Sequence, residues 1–276
     1  MGLVIASFGQ VISMTSIQDI CDFLDCFAPQ RLAEEWDNVG LLVGDRHSTA
    51  NRVMTCLTVT PASAAEAIKR DCDLIITHHP FPFRPLKKIT TDETCTRILL
   101  DLIRAGVAIY SPHTGFDSAA QGINQSLAEA VGIKASKPII PIADDPDELG
   151  AGRIGDLNAA IPLSKLVDQL RGPLSAERIG IVGQLDAATH RIAFACGSGG
   201  TFLEPARQLG CDTFVTGEAN FHACLEAEAT GTNLILLGHY ASERFAIERL
   251  AGELEKQFSG SEIWASSQES DPVKRV

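Results

Sequence analysis

Asp73-Leu74-Ile75-Ile76-Thr77-His78-His79-Pro80 is a short apolar run that closes on two adjacent imidazoles and a proline. Four such residues between polar neighbours read as a buried strand. Pro80 has no backbone donor and holds His79 extended, so the strand stops there. Histidine loses solvation on burial and seldom packs in pairs, whereas imidazole is the commonest metal ligand in proteins. Neighbouring strand residues face opposite ways, so both rings can meet one site only where the strand ends. The run predicts a strand whose carboxyl end is a metal-binding position.

The same grammar recurs twice. Residues 107–110 form an apolar run followed by Ser111-Pro112-His113-Thr114-Gly115-Phe116-Asp117 and a helix pattern reaching about Val131. Residues 233–237 are followed by Gly238-His239-Tyr240-Ala241-Ser242-Glu243 and a helix pattern reaching about Gln257. Helix patterns over 62–70 and 94–105 precede the first two of these strands, and strands at 191–195 and 213–216 flank another helix near 203–209. Strands alternating with helices point to an α/β fold with mixed, largely parallel sheets. The proline- and acid-rich stretch 137–148 reads as a connector between a first lobe, residues 15–135, and a second, residues 136–276. The last helix is expected to pack back on the first lobe, Ile263-Trp264 to add an edge strand, and the final ten residues to be loose.

In open α/β sheets, ligands bind beyond the carboxyl ends of the strands. Each of the three ends carries a metal-competent pair: His78 with His79, His113 with Asp117, His239 with Glu243. Their convergence on one rim makes a dinuclear centre the economical hypothesis. A carboxylate can bridge ions roughly 3.5–4 Å apart, and Glu243, one helical turn after His239, is the candidate bridge, with Ser242 as a candidate helix cap. Gly197-Ser198-Gly199-Gly200 lies between a strand and a helix, where its amides could hold a phosphate. Phe202 at the sixth position excludes a dinucleotide fingerprint. Glu218 and His222, one turn apart, read as a solvated helix start more readily than as a wall of the site. His47 and His190 read as surface residues. Arg84 with Lys87-Lys88 fits a phosphate contact and an ordinary solvated loop equally well. Trp36-Asp37-Asn38-Val39-Gly40 reads on its own as an aromatic anchor and a turn.

A formal charge of −12 over 276 residues argues against gripping nucleic acid through the bulk field. The eight cysteines include no Cys-x-x-Cys pair and lie in apolar runs, which suits reduced thiols in a cytoplasmic protein rather than a zinc ribbon or disulfide scaffold. No apolar run approaches the length of roughly 20 residues that a membrane span needs. Met1–Ser13 lacks the basic head and cleavage site of a signal peptide, and Met14, ahead of a Ser16 helix cap, reads as an alternative start.

The His78-His79, Ser111–Asp117 and Gly238–Arg244 motifs occur in order with Trp36–Leu41, Gly44-Asp45 and Gly197–Gly200. Together they resemble the Nif-three-like dinuclear metal-centre proteins, homologues of the type 2 form of GTP cyclohydrolase I, over roughly Ile17 to Glu255. The resemblance implies two related α/β lobes with a dinuclear site in the cleft between them and a ring-shaped homo-hexamer. It implies that His78 and His239 hold one metal, His79 and Asp117 the other, and that Glu243 bridges them. His113 would stand outside the ligands and move protons. Three imidazoles and two carboxylates suit two divalent transition metal ions (zinc, iron, manganese or cobalt) better than calcium. The activity expected is hydrolysis of a nucleotide-like substrate by a metal-activated water, with Glu243 and His113 catalytic and the Gly197–Gly200 loop on the phosphates. GTP is the substrate the family label suggests. The rival expectation is a metal-dependent regulatory ring that binds protein or nucleic acid without turnover, and the −12 charge counts against nucleic acid.

Overall fold

The computed structural model describes residues 15–176 and 178–274, so the signal-peptide and start-site readings at 1–14 lie outside it. The first half runs α1 (Ile17–Phe27), β1 (Gly40–Val43), β2 (Arg52–Cys56), α2 (Pro61–Lys69), β3 (Leu74–Thr77), α3 (Thr94–Arg104), β4 (Ala108–Ser111), α4 (His113–Ser118) and α5 (Ile123–Ala130). Three two-residue strands follow: β5 (Ser136–Lys137), β6 (Ile140–Pro141) and β7 (Gly150–Ala151). Next come β8 (Arg153–Pro162), α6 (Leu163–Arg171), β9 (Gly180–Val182), β10 (Ala188–Ala195) and α7 (Leu203–Gln208). The chain closes with β11 (Thr213–Thr216), α8 (Phe221–Thr230), β12 (Asn233–Leu236), α9 (His239–Gln257) and β13 (Glu262–Ala265).

These strands make a mixed α/β fold. One sheet has the order β1-β4-β3-β2-β13, parallel except for β1. The other has the order β5-β8-β10-β11-β12-β9, in which β10, β11 and β12 are parallel and the flanking strands antiparallel. Ile263-Trp264 does form an edge strand, pairing in parallel with Val53-Met54 of the first sheet.

Alternation along the strands builds three apolar layers. Ile75 of β3 packs with Met54, Leu99 and Leu102 under α2 and α3, while its neighbours Leu74 and Ile76 face the opposite way. In β11, Phe214 meets Leu203 and Ala227 on one face and Val215 points to the other. The inward faces share one core with Leu24 of α1, Leu127 of α5, Leu166 of α6 and Leu250 of α9. Each such side chain, fully buried, contributes about 1.5–3 kcal/mol. This common layer therefore fixes how the two sheets meet. α1 starts where Ser16 predicts: its hydroxyl accepts from the Asp19 amide, and the Asp19 carboxylate accepts from the Ser16 amide.

Three expectations need correction, and the connector gains a structure that its sequence did not announce. The helix expected after Asp117, through about Val131, begins only at Ile123, and the motif ahead of it is itself a short helix, α4: Ala119 leaves the helical backbone, the Gly122 amide turns to the Ala119 carbonyl, and α5 starts afresh. The connector 137–148 is an ordered hairpin. The Asp145 carboxylate accepts from the Leu149 and Asp147 amides and pairs with Arg31 at 3.0 Å. The final residues are not loose from their start, because Glu269 is held in the interior by the Leu57 and Thr58 amides at 2.9 and 2.8 Å. Cys26 is exposed, although five of the eight cysteines are buried; all eight are free thiols.

Candidate metal centre

Strands of both sheets deliver their carboxyl ends to one place. β3 ends at Thr77, and the next two rings, His78 and His79, stand 5.0 Å apart by centroid. β4 leads into α4, whose first residue is His113, held at a φ of 27° that an L-residue rarely adopts. β12 turns through Gly238 into α9, so His239 and Glu243 lie in its first turns, four apart on one face.

The structure brings all six expected side chains together. His79 Nε2 lies 3.2 Å from His239 Nε2, and both lie close to Glu243 Oε2, at 3.3 and 3.2 Å. His78 Nε2 lies 3.6 Å from Asp117 Oδ1 and 3.9 Å from Glu243 Oε1. His79 thus approaches His239, and His78 approaches Asp117, whereas the resemblance implies His78 with His239 and His79 with Asp117. Donor atoms of His79, His239 and Glu243 fall within 4.8 Å of one another, as do those of His78, His79 and His113. His113 is therefore inside the donor cluster, not merely behind it.

Burial is what makes the cluster informative. His78 is 1% exposed and Glu243 3%. Neither ring nitrogen of His78, nor Glu243 Oε2, has a hydrogen-bond partner, although imidazoles approach that oxygen closely. A buried polar group left without a partner costs about 1–3 kcal/mol. Of these, His78 Nε2 and Glu243 Oε2 lie in the donor cluster, and each can offer a lone pair to a cation there. Protonation energetics agree. Burial pushes His78 well below its ordinary value, which keeps the ring neutral and one of its nitrogens free to ligate. Burial opposes ionisation of Glu243, yet the surrounding imidazoles win and hold its carboxyl far down. Burial and the Glu243 charge together push Asp117 up. Two carboxylates this close resist ionising together, and a divalent ion would relieve that conflict. A His/Glu group here can bind a metal ion.

The supporting contacts were mostly missed in the sequence. Asp37, with 1% of its side chain exposed, accepts from His113 Nδ1 at 2.8 Å and from the Thr114 amide at 3.1 Å, which leaves His113 Nε2 to face the cluster. Burial disfavours its charge, but His113 and Thr114 hold its carboxyl down at about 2. Thr58 Oγ1 is 2.7 Å from His79 Nδ1. Cys196 Sγ donates to Asp117 Oδ1 at 3.1 Å. Glu218, expected at a solvated helix start, comes within 3.3 Å of His239 Nδ1 and accepts from Ser198 Oγ. His222 is exposed, as are His47, Arg84, Lys87 and Lys88. Ser242 does not cap α9: its hydroxyl accepts from the Gly197 amide and donates to the His239 carbonyl. One amide of the Gly197–Gly200 loop is consequently spoken for. A strand reading at 52–56 would have pointed to Thr58, because it too follows a parallel strand end; Asp37 carries no such signal.

Above the cluster lies a cavity of about 570 Å³, lined by Trp36, Phe83, Ile140, Ser198, Gly199 and Phe202 among others, with His79, His113, Asp117, His239 and Glu243 in its wall.

Fold and site together define an α/β protein with a metal-competent His/carboxylate cluster where two sheets converge. The chain belongs to the Duf34/NIF3 (NGG1p interacting factor 3) family, whose sequence profile matches residues 15–272. It is 32% identical over 262 residues to a Clostridium acetobutylicum protein named GTP cyclohydrolase 1 type 2 homolog, covering 94% of this chain and 98% of that one. It is 30% identical to the Drosophila melanogaster NIF3-like protein 1, covering 92% and 87% of the two chains. Among solved structures, Staphylococcus aureus protein SA1388 superposes with a TM-score of 0.85 at 26% identity, covering 95% of this chain and 99% of that one. No helix of the described residues is long and apolar enough to cross a membrane.

Proposed function

We propose that this chain is a dinuclear metal-dependent hydrolase acting on a nucleotide-like substrate. The observation that carries the reading is Glu243: one buried carboxylate whose two oxygens face two different imidazole groups, with the nitrogens of His78 unpartnered beside it. His78, Asp117 and one oxygen of Glu243 would hold one ion, and His79, His239 and the other oxygen the second. His113 is close enough to the first to serve as a further ligand or as a proton carrier. Zinc, iron, manganese or cobalt suits this donor set. Such ions would supply Lewis acidity and a nucleophile from water near neutral pH.

The chain's own residues do the rest. Asp37 fixes the His113 ring so that Nε2 can take or return a proton at the reacting group. Ser198 and Gly199 line the cavity beside the cluster, where the backbone amides of the loop are the candidates for a phosphate contact. The names of the Clostridium and Lactococcus relatives suggest GTP as the first substrate to try. The proposal includes a cytoplasmic, ring-shaped homo-hexamer, expected in light scattering at six times the 29.5 kDa of one chain.

The test is a turnover screen of metal-reconstituted protein against nucleoside triphosphates, small phosphoesters and cyclic amides, with Glu243→Gln alongside. A hydrolase loses at least a hundredfold in turnover in the variant while its circular dichroism stays unchanged. Silence of the wild type across the panel, with the variant losing assembly or thermal stability instead, assigns the ions a structural role in a binding protein.

A further inference from the structure

Trp36 and Phe83 stand at the mouth of the cavity with 65% and 53% of their surface exposed. Rings of this size gain most of their stabilisation from burial, so two of them left open side by side at a site call for an occupant. Their centroids are 6.5 Å apart at 54°. Each also meets the ring of His113 edge-on, Trp36 at 6.0 Å and 78°, Phe83 at 6.0 Å and 83°. Solvent and donor cluster are thus joined by one continuous aromatic surface. The rings are tied to the cluster by the chain itself. Trp36 precedes Asp37, which pins His113, and Phe83 follows His79 by four residues across Pro80 and Pro82.

The charges around this surface narrow what fits. The described residues lining the cavity include Glu34, Asp117 and Glu243 but no lysine or arginine. A polyphosphate would find no cationic side chain in this wall. A flat, uncharged ring would find three aromatic faces and edges. The tilt between Trp36 and Phe83 leaves no parallel slot, so the ring would lie on the surface rather than between two plates.

We propose that Trp36 and Phe83 form a stacking shelf for an uncharged planar heteroaromatic ring of the nucleobase kind, which they hold with its polar edge toward His113 and the donor cluster. This rests on reading the cavity as the ligand site of the metal centre, and it adds that the side chains of the wall recognise the ring, leaving any phosphates to the loop amides and the metal ions. Base–aromatic stacking is sequence-tolerant because every base has a π face, so adenine and guanine rings should both be held.

The test is calorimetric titration of metal-reconstituted protein with guanosine, adenosine and inorganic tripolyphosphate. Both nucleosides are expected to bind. Trp36→Leu and Phe83→Leu should each weaken that binding roughly tenfold or more, with Trp36→Phe retaining most of it. Metal content and circular dichroism of the variants check that the site is intact. Tripolyphosphate, which only the metal ions and loop amides would attract, should bind Trp36→Leu as well as it binds the wild type. In a Trp264→Phe background, fluorescence reports Trp36 alone and should be quenched as nucleoside is added. Equal nucleoside affinity in Trp36→Leu, absence of nucleoside binding to the wild type, or a loss of tripolyphosphate affinity in Trp36→Leu as large as that of the nucleosides overturns the shelf. So does a change in Trp36 fluorescence that follows protein concentration without ligand, because a second copy would then cover it. Failure of the hydrolase reading is separable: nucleosides that bind through Trp36 without any turnover leave the shelf standing and remove the enzyme.

Discussion

At Gly197 the backbone has a φ of 59°, and a Cβ there would sit 2.3 Å from Glu243 Oε1. No other residue lets the loop pass that close to the carboxylate. Gly197→Ala should displace Glu243 and lower metal affinity more than tenfold, read by competition with a chelator. Gly231→Ala makes the control: its φ is 69° with nothing within 4 Å of the added carbon, so it should cost only about 1 kcal/mol of backbone strain and leave metal uptake alone. Thr58 acts at the same scale. Its hydroxyl is hydrogen-bonded to His79 Nδ1, which settles which ring nitrogen faces the cluster. Partners of this kind typically contribute 10–100-fold to metal affinity, so Thr58→Val is expected to lose that much while its melting temperature hardly moves. Thr58 was not legible as a site residue, and Gly197 was legible only as part of a phosphate loop, not as the neighbour of Glu243. A glycine loop reads as a phosphate nest, and a lone threonine reads as strand. What marks them is proximity to Glu243 and His79, which arises only when the sheets meet.

Among elements, the strands ending at His78 and His239 were readable because each is a short apolar run buried on both faces, with donors immediately after it. β8 was not. Only Arg153 and Leu157 of its ten residues are buried, and Gly155, Asp156 and Asn158 break up any apolar run that would announce it. The segment after β13 was also misread, since a Ser- and Gln-rich tail carries no sign that it will be anchored. Ser266 Oγ donates to Glu66 at 2.6 Å, the Ser267 amide donates to the same carboxylate at 3.2 Å, and Arg244 Nη2 donates to the Ser266 carbonyl at 2.8 Å. Burial works against the Glu66 charge, but the Ser266 and Ser267 hydrogen bonds outweigh it and hold its pKa below the ordinary 4.5. A carboxylate with a depressed folded value stabilises fully above its unfolded value and stops doing so as pH falls through the folded one. The difference in melting temperature between wild type and Glu66→Ala should therefore be constant near neutrality and shrink once the pH drops below about 4.5. Glu269, whose burial pushes its pKa the other way, is present in both proteins and cancels. A gap that widens in acid would contradict the assignment.

Across the whole molecule, the sequence located the strand ends but not the angle at which two sheets bring them together. That is why the residues of the cluster could be named while the distances between them could not. One buried residue holds that angle beside the site. Arg153, 2% exposed at the start of β8, donates to the carbonyls of Gly150 and Gly152, both at 2.7 Å, and to those of Ser118 and Ala119, at 2.7 and 2.9 Å. Ser118 follows Asp117, so the guanidinium ties the end of α4, which carries a donor, to the backbone that leads from β7 into β8 of the second sheet. Burial draws its pKa down to about 10, which still leaves it charged at neutral pH. Removing such a group strands four carbonyls in the interior, a loss on the order of 3–5 kcal/mol by analogy with broken buried ion pairs. Arg153→Met should accordingly lower the melting temperature by about 10 °C for a chain of this size. Arg153→Lys should recover only a minor part, because one ammonium cannot serve two pairs of carbonyls in a fork. Chelator competition should show weakened metal binding in both variants, since Asp117 loses its backbone anchor. Arg191 of β10 pairs with Asp156 of β8 at 2.7 Å on the surface, with 46% and 43% of the two side chains exposed. Arg191→Ala should shift stability by no more than about 1 kcal/mol and leave metal affinity unchanged. Equal effects at Arg153 and Arg191 would show that the buried guanidinium does not join the sheets at the site.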